Sequence, residues 1–598
     1  MKSVTSKVEP LTPGIPRAAD VASRIVNIAA FLPGLAARQP DLPAIHFPAA
    51  GGGTDAEGQP AYAHCTYAEL DRESDRIARG LTVLGVGRGV HTAMMVKPGR
   101  AFFELTFGLF KAGAVPVMID PGIGLRHLKT CLAEARPEAF IGIPAAHAAR
   151  RLLGWGRESV RTLVHVGGPS WLRGLLGGGV SLEQVKAAGD AAGADAHGSG
   201  AFVAATGGDD VAAILFTSGS TGVPKGVVYA HRHFVEQVEM IRDAYGIEPG
   251  EVDLPTFPLF ALFDPALGMT TVIPRMDFTR PARVDPRHIV ALVRRFGVTN
   301  MFGSPAVLNT VGRYGGPGGP GAGETLPTLR RVISAGAPVP GPVMERFLTM
   351  LGPDARVHTP YGATENLPVA TIASDVLLGE AWAKTNEGAG VCVGLPVPPN
   401  DVRVIAITDD AIDRWELAVE VATGEVGEIV VLGPTTTEAY FGRDASTKLA
   451  KIPDERAPGA APGRPRLRHR MGDVGYFDAQ GRLWFCGRKA HRVRTPEGTL
   501  FTICCEAVFN THPSVFRTAL VGLGAPGAQR PLICVEREPG LKAPKWATLV
   551  SELRALGARH AHTAGIVDFL EHRGFPVDIR HNAKINRELL ARWAEERV

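Results

Sequence analysis

Along residues 67–84 apolar positions return every three or four residues, the spacing of a helix with one buried face. An apolar run at 91–96, a second helical pattern at 102–112 and another apolar run at 114–119, closed by the turn Asp120-Pro121-Gly122, continue the alternation. Strands apolar throughout, separated by amphipathic helices, predict a parallel sheet covered on both faces, here from about 66 to 190. A second region of this kind is expected from about 210 to 396, with strands at 212–216, 300–302, 330–334 and 356–358. Between 401 and 485, short apolar runs such as 427–432 alternate with turns such as Asp478-Ala479-Gln480-Gly481, which predicts a small β-rich subdomain. The fold class is therefore α/β, with a large N-terminal domain at 1–487 of two doubly wound α/β subdomains plus the β-rich one. A small α+β C-terminal domain follows at 488–598.

Residues 315–323, nearly all Gly and Pro, and 451–470, mixing Pro, Gly and charge, are expected as surface loops. Val21, Ile25, Ile28 and Phe31 predict an amphipathic helix, packed on its own domain or against a membrane or partner. Arg24, Asn27 and Pro33 interrupt it, so it falls short of the ~20 apolar residues of a span, and no transmembrane segment is expected. Residues 1–13 lack the apolar core of a secretory signal. A length of 598 residues requires several cores. The 64 basic residues against 60 acidic, net +4, do not form the excess of a dedicated nucleic-acid binder, and no nucleic-acid partner is expected. The seven cysteines show no zinc spacing and read as reduced packing thiols of a cytoplasmic protein.

The strongest chemical signal is Thr217-Ser218-Gly219-Ser220-Thr221-Gly222-Val223-Pro224-Lys225-Gly226, after an apolar strand and ahead of a helix with Phe234, Val238, Ile241 and Tyr245 on one face. Gly, Ser and Thr in such a loop let backbone N–H groups and hydroxyls wrap a polyphosphate, and Lys225 adds a cation. It is not a Walker A loop, because no Gly-Lys-Ser/Thr closes it. The segment resembles the phosphate loop of the adenylate-forming superfamily of acyl-CoA synthetases, luciferases and peptide-synthetase adenylation domains. Further signatures follow in that family's order. Tyr361-Gly362-Ala363-Thr364-Glu365 resembles its aromatic-Gly-x-Thr-Glu motif, which implies Tyr361 against adenine, Thr364 at the α-phosphate and Glu365 on Mg²⁺. Ala335-Gly336-Ala337, after Ser334, resembles the small-residue turn beside adenine and the acyl carbon. Asp473 of Met471-Gly472-Asp473 matches the residue that accepts the ribose hydroxyls, although Met replaces the usual Thr. Arg488 matches a ribose or phosphate contact at the domain boundary, and Lys584 in Asn582-Ala583-Lys584-Ile585-Asn586-Arg587 matches the catalytic lysine of a mobile C-terminal domain.

The resemblance thus implies ATP and Mg²⁺ as cofactors and an acyl-adenylate as intermediate, with Lys584, Lys225, Glu365 and Thr364 at the reacting phosphates. Two departures from the family pattern bear on the fate of that adenylate. Ala490 stands where the family carries a hinge Asp or Lys, and 499–506 lacks the glycine-containing pantetheine-tunnel motif. Residues 258–268 are aromatic and aliphatic, suiting a long acyl chain at about 0.8 kcal/mol per buried methylene. With 276–281 and 300–305 they are similar to the β-lactone synthetases of bacterial long-chain olefin biosynthesis. That likeness implies a long-chain 2-alkyl-3-hydroxy acid as substrate and assembly with a lactone decarboxylase and a reductase of that pathway. Phe260, Phe263, Asp264, Phe302 and Gly303 are the expected substrate-pocket residues, with core packing as the alternative for the two former aromatics. His231 and Asp264 are the candidates to orient or deprotonate the hydroxyl, with a structural or substrate-shaping role as the alternative for each. A fatty acyl-CoA synthetase or acyl-AMP ligase, and a non-catalytic acyl-binding scaffold, are the competing readings.

Overall fold

The computed structural model describes residues 25–49, 51–54, 59–119, 123–195, 202–217, 224–460, 465–540, 544–577 and 585–598. The expected turn at 120–122 therefore lies outside the described residues, as does the beginning of the N-terminal helix. From Ile28 that segment is one turn of 3-10 helix followed by the α-helix Phe31–Arg38. Ile28, Phe31, Leu32 and Leu35 are buried with Phe103, Phe107 and Phe110, so the apolar face packs on its own molecule. Thr66 and Glu69 form a reciprocal cap at the start of the helix Tyr67–Val83, which fixes where the first long helix begins.

Two large sheets carry the N-terminal part. A seven-stranded sheet runs Val180–Ser181, Thr162–His165, Ala139–Gly142, His91–Met95, Val115–Ile119, Val211–Thr217, Lys225–Ala230, parallel except for its last pair. One membership differs from the linear reading. Val211–Thr217, expected to open the second region, pairs with Val115–Ile119 of the first. Pro43–Pro48, a strand the linear reading did not assign, pairs with Thr270–Val272 of the second. Strand partners are chosen by tertiary contact, which periodicity along the chain does not encode. The second region and the β-rich region share one sheet of 14 strands, joined where Val391–Pro396 pairs antiparallel with Leu483–Arg488.

The two ends of the segment 451–470, expected as a surface loop, are instead strands, while Glu455, Arg456, Pro458 and Gly459 between them are exposed. Lys451–Asp454 pairs antiparallel with Arg466–Phe477, and Lys451, Arg468, His469 and Arg470 are buried. The two arginines are charge-paired inside, Arg468 with Asp454 at 2.7 Å and Arg470 with Glu428 at 2.6 Å. A charged stretch can be interior when each charge finds a partner, and charge alone misled the reading. After Arg488 the strands Val515–Leu523, Arg530–Arg537 and Asp568–Glu571 form a separate sheet. The helices Thr502–Phe509 and Trp546–Gly557 bury Cys505, Phe509, Leu549 and Leu553 in one cluster, while Arg587–Glu595 buries Leu590 and Ala594 in another. Cys504 is partly exposed and the other six cysteines are buried, and none is in a disulfide.

Candidate active site

A cavity of about 870 Å³ opens where the two large sheets meet the start of the C-terminal part. Three parts of the chain bring its polar end together, the first a strand pair and the other two turns. The strand Val211–Thr217 leads into the Gly/Ser/Thr segment and Lys225–Ala230 leads out, as an antiparallel pair with Thr217 opposite Lys225. Ser218, Gly219, Ser220, Thr221 and Gly222 lie outside the described residues, as does Lys584. The strand Lys225–Ala230 separates the loop from the helix His231–Tyr245, so that helix does not start at the loop. Val227, Val228 and Tyr229 are strand-favouring residues, which explains the insertion.

The second, a turn, joins Arg356–Ala363 to Asn366–Ala373 and presents Thr364 and Glu365 at its tip. The third follows Arg331–Ile333 and carries Ala335 and Gly336, whose φ of +96° favours glycine. Lys225, Ala335, Gly336, Tyr361, Gly362, Thr364, Glu365 and Arg488 all line the cavity; Ala337 does not. Tyr361 donates to Asp473 at 2.7 Å, and Arg488 pairs with the other Asp473 oxygen at 3.0 Å. Asp473 thus grips two cavity-lining side chains from just behind Gly472, and it raises the Arg488 guanidinium still further above its ordinary range. Arg488 also donates to the Met471 carbonyl at 3.2 Å, a contact that does not depend on the side chain at 471.

Tyr440 is a residue the linear reading missed. Its hydroxyl donates to Glu365 Oε1 at 2.6 Å, and the Lys225 ammonium lies 4.9 Å from its ring centre. One aromatic side chain therefore connects the residues expected at the metal and at the phosphates. No local pattern marks it, because the contact spans 75 residues. The Glu365 carbonyl is held as well, by the Thr437 N–H at 2.9 Å and hydroxyl at 3.1 Å. Beneath that turn Lys451 donates to the Thr437 carbonyl, and burial lowers its ammonium to about 7.

The other end of the cavity is apolar. Phe260 stacks on Phe302 with ring centres 3.8 Å apart, and Phe263 approaches Phe234 at 6.3 Å. Both aromatics sit on the cavity wall, so they are lining as well as packing residues. Asp264 also lines the wall but accepts from the Thr271 hydroxyl at 2.7 Å and faces Asp253, and burial raises it well above the carboxylate range. Gly303 does not line the cavity: an added Cβ would come within 2.9 Å of Leu308, so its smallness serves packing. His231 is fully buried, stands edge-on to Phe110, and is absent from the lining. Among the described residues neither of its ring nitrogens has a hydrogen-bond partner, and burial lowers it to about 4. It is not placed to reach a substrate hydroxyl.

A polar end bearing Glu365, Lys225 and Arg488, in one cavity with an aromatic end, suits an enzyme that joins a carboxylic acid to AMP. The comparisons agree: the AMP-binding enzyme family matches residues 34–441, and the chain belongs to that family as an AMP-forming ligase. Among its relatives, "Olefin beta-lactone synthetase" of Xanthomonas campestris pv. campestris is 56% identical, covering 96% of this chain and 98% of that one. "Olefin beta-lactone synthetase" of Stenotrophomonas maltophilia is 53% identical with the same coverage of 96% and 98%. Among solved structures, the anthranilate CoA ligase AuaEII in complex with anthranoyl-AMP superposes with a TM-score of 0.73 at 16% identity, over 97% of this chain and 100% of that one. ATP-bound MatB from Rhodopseudomonas palustris gives 0.68 at 19%, over 95% and 99%. At such identities these two establish the fold.

Proposed function

We propose that the chain activates a long-chain 2-alkyl-3-hydroxy acid with ATP, releases pyrophosphate, and lets the acid's own hydroxyl close a β-lactone with loss of AMP. The observation that carries this reading is the near full-length likeness to the two olefin β-lactone synthetases. The aromatic chamber around Phe260, Phe263 and Phe302 fits a long hydrocarbon. Ala490 and the altered segment 499–506 fit a reaction whose nucleophile is internal and needs no CoA channel. The cellular setting of this reading is the cytoplasm, with a lactone decarboxylase and a reductase as neighbours. In it, residues 488–598 move against 1–487 to bring Lys584 to the site.

The residues divide the work by charge. Attack of the acid oxygen on the α-phosphorus joins two anions, so neutralisation dominates and little acid–base chemistry is needed. Lys225 meets the departing pyrophosphate, Thr364 the α-phosphate, and Asp473 with Arg488 the ribose, while Tyr361 lies along the adenine. A single carboxylate, Glu365, fits Mg²⁺, which takes most of its ligands from phosphate and water; among the described residues no cluster of three metal-binding side chains forms a cage. When bound, the ion supplies Lewis-acid neutralisation of the phosphate oxygens. Glu365→Gln keeps the side-chain size and removes the charge. The Mg²⁺ concentration for half-maximal pyrophosphate release is expected to rise roughly tenfold or more, the scale of a lost charge-assisted contact. An unchanged Mg²⁺ titration would take Glu365 out of this role.

Coenzyme A separates this reading from a conventional synthetase. A plain long-chain acid with ATP and CoA is expected to give thioester far more slowly than the hydroxy acid turns over without CoA. Thioester formation at a matching rate would place the chain with acyl-CoA synthetases instead.

A further inference from the structure

The acyl end of the cavity is apolar except for a few groups, and one of these is an amide. Gln237, on the helix His231–Tyr245, is 2% exposed and lines the cavity on the same helix face as Phe234 and Ile241. A buried amide amid hydrocarbon is costly unless its polar atoms are paired. Its Nε2 donates to the Leu367 carbonyl at 3.3 Å and reaches the Tyr229 hydroxyl at 3.5 Å. A carbonyl can only accept, so Leu367 settles which end of the amide carries nitrogen. Tyr229 in turn gives its proton to the Thr364 carbonyl, leaving its oxygen to accept from Nε2. Every donor in this network has a direction, and one acceptor is left over. Among the described residues nothing donates to Gln237 Oε1, and that atom is not among the polar atoms sealed in without a partner. It keeps access to the cavity, on the helix that Tyr229 and the Leu367 carbonyl tie to the turn bearing Thr364.

We infer that Gln237 reads the substrate's 3-hydroxyl, accepting its hydrogen bond through Oε1 and turning an oxygen lone pair toward the activated carbonyl carbon. This rests on the proposed β-lactone chemistry and gives it a specificity element. An acid bearing the hydroxyl satisfies the amide oxygen, whereas an acid without it leaves that oxygen facing a methylene. In ring closure the hydroxyl oxygen forms the new bond to the acyl carbon, and the bond from that carbon to the phosphate oxygen breaks. The hydroxyl proton leaves with the AMP phosphate, and Gln237 neither gains nor loses one.

ATP–pyrophosphate exchange with a synthetic 2-alkyl-3-hydroxy acid and its 3-deoxy analogue tests this. The unmodified protein is expected to favour the hydroxy acid by about 10–100-fold in kcat/KM. Gln237→Met and Gln237→Leu are expected to bring that ratio to within about threefold of one, through loss on the hydroxy acid. Exchange retained on the deoxy acid reports folding in the same assay. A preference near one in the unmodified protein overturns the inference before any variant is made. An unchanged preference in both variants, or equal loss on both acids, overturns it as well, equal loss being the mark of plain packing. Exchange precedes ring closure, so a protein that showed the preference yet released no lactone would overturn the proposed reaction and leave the reading of Gln237 standing.

Discussion

Alanine at position 584 is expected to slow pyrophosphate release about a hundredfold or more, with ATP binding largely retained, a loss of about 3 kcal/mol at the transition state. The expectation comes from Asn582-Ala583-Lys584-Ile585-Asn586-Arg587 and from the charge problem of the first step. Two anions meet at the α-phosphorus, and a cation matters most where that repulsion peaks. The chain just beyond Lys584 is firmly tied down. Arg587 pairs with buried Glu506 through contacts of 2.6 and 2.9 Å, and Asn586 caps the helix Arg587–Glu595. Rapid-quench measurement of pyrophosphate, with ATP affinity measured separately, distinguishes a lost transition-state contact from lost binding. Release at the unmodified rate would remove Lys584 from the mechanism.

The 3-deoxy acid is expected to give the second large effect: a burst of pyrophosphate of at most about one per enzyme, then almost no turnover. A hydroxyl two carbons from the activated carbonyl is held in the same molecule and attacks with a high effective concentration once oriented. Closing a four-membered ring is uphill in strain, so departure of AMP must offset it, and activation has to come first. Without the hydroxyl, the adenylate has no internal nucleophile and remains bound. Steady release of pyrophosphate from the deoxy acid at the hydroxy acid's rate would show that some other nucleophile completes the cycle.

What could be read from the linear chain was whatever a short run of residues encodes. The run 217–226, the hairpin tip Thr364-Glu365 and the Gly472-Asp473 pair are each motifs of ten residues or fewer, and Tyr361, Thr364, Glu365 and Arg488 do converge on one cavity. Contacts between distant residues were not legible. Tyr440 meets Glu365 across 75 positions, and Gln237 meets Leu367 across 130. His231 and Gly303 sit in suggestive sequence neighbourhoods, yet one is sealed under Phe110 and the other is pressed against Leu308. The hairpin at 451–477 shows the same limit for charge. Lys451, Arg468 and Arg470 look like surface until the residues that receive them, Thr437, Asp454 and Glu428, are brought alongside by the sheet.

The most direct measurement is the mass of the product released from a synthetic 2-alkyl-3-hydroxy acid with ATP and Mg²⁺ and no CoA. A β-lactone weighs one water less than the acid that entered, and its formation should match AMP and pyrophosphate in equal amounts. A product with the mass of the unchanged hydroxy acid, formed while ATP is consumed, would mean that water and not the hydroxyl resolves the adenylate, and would contradict the proposed reaction.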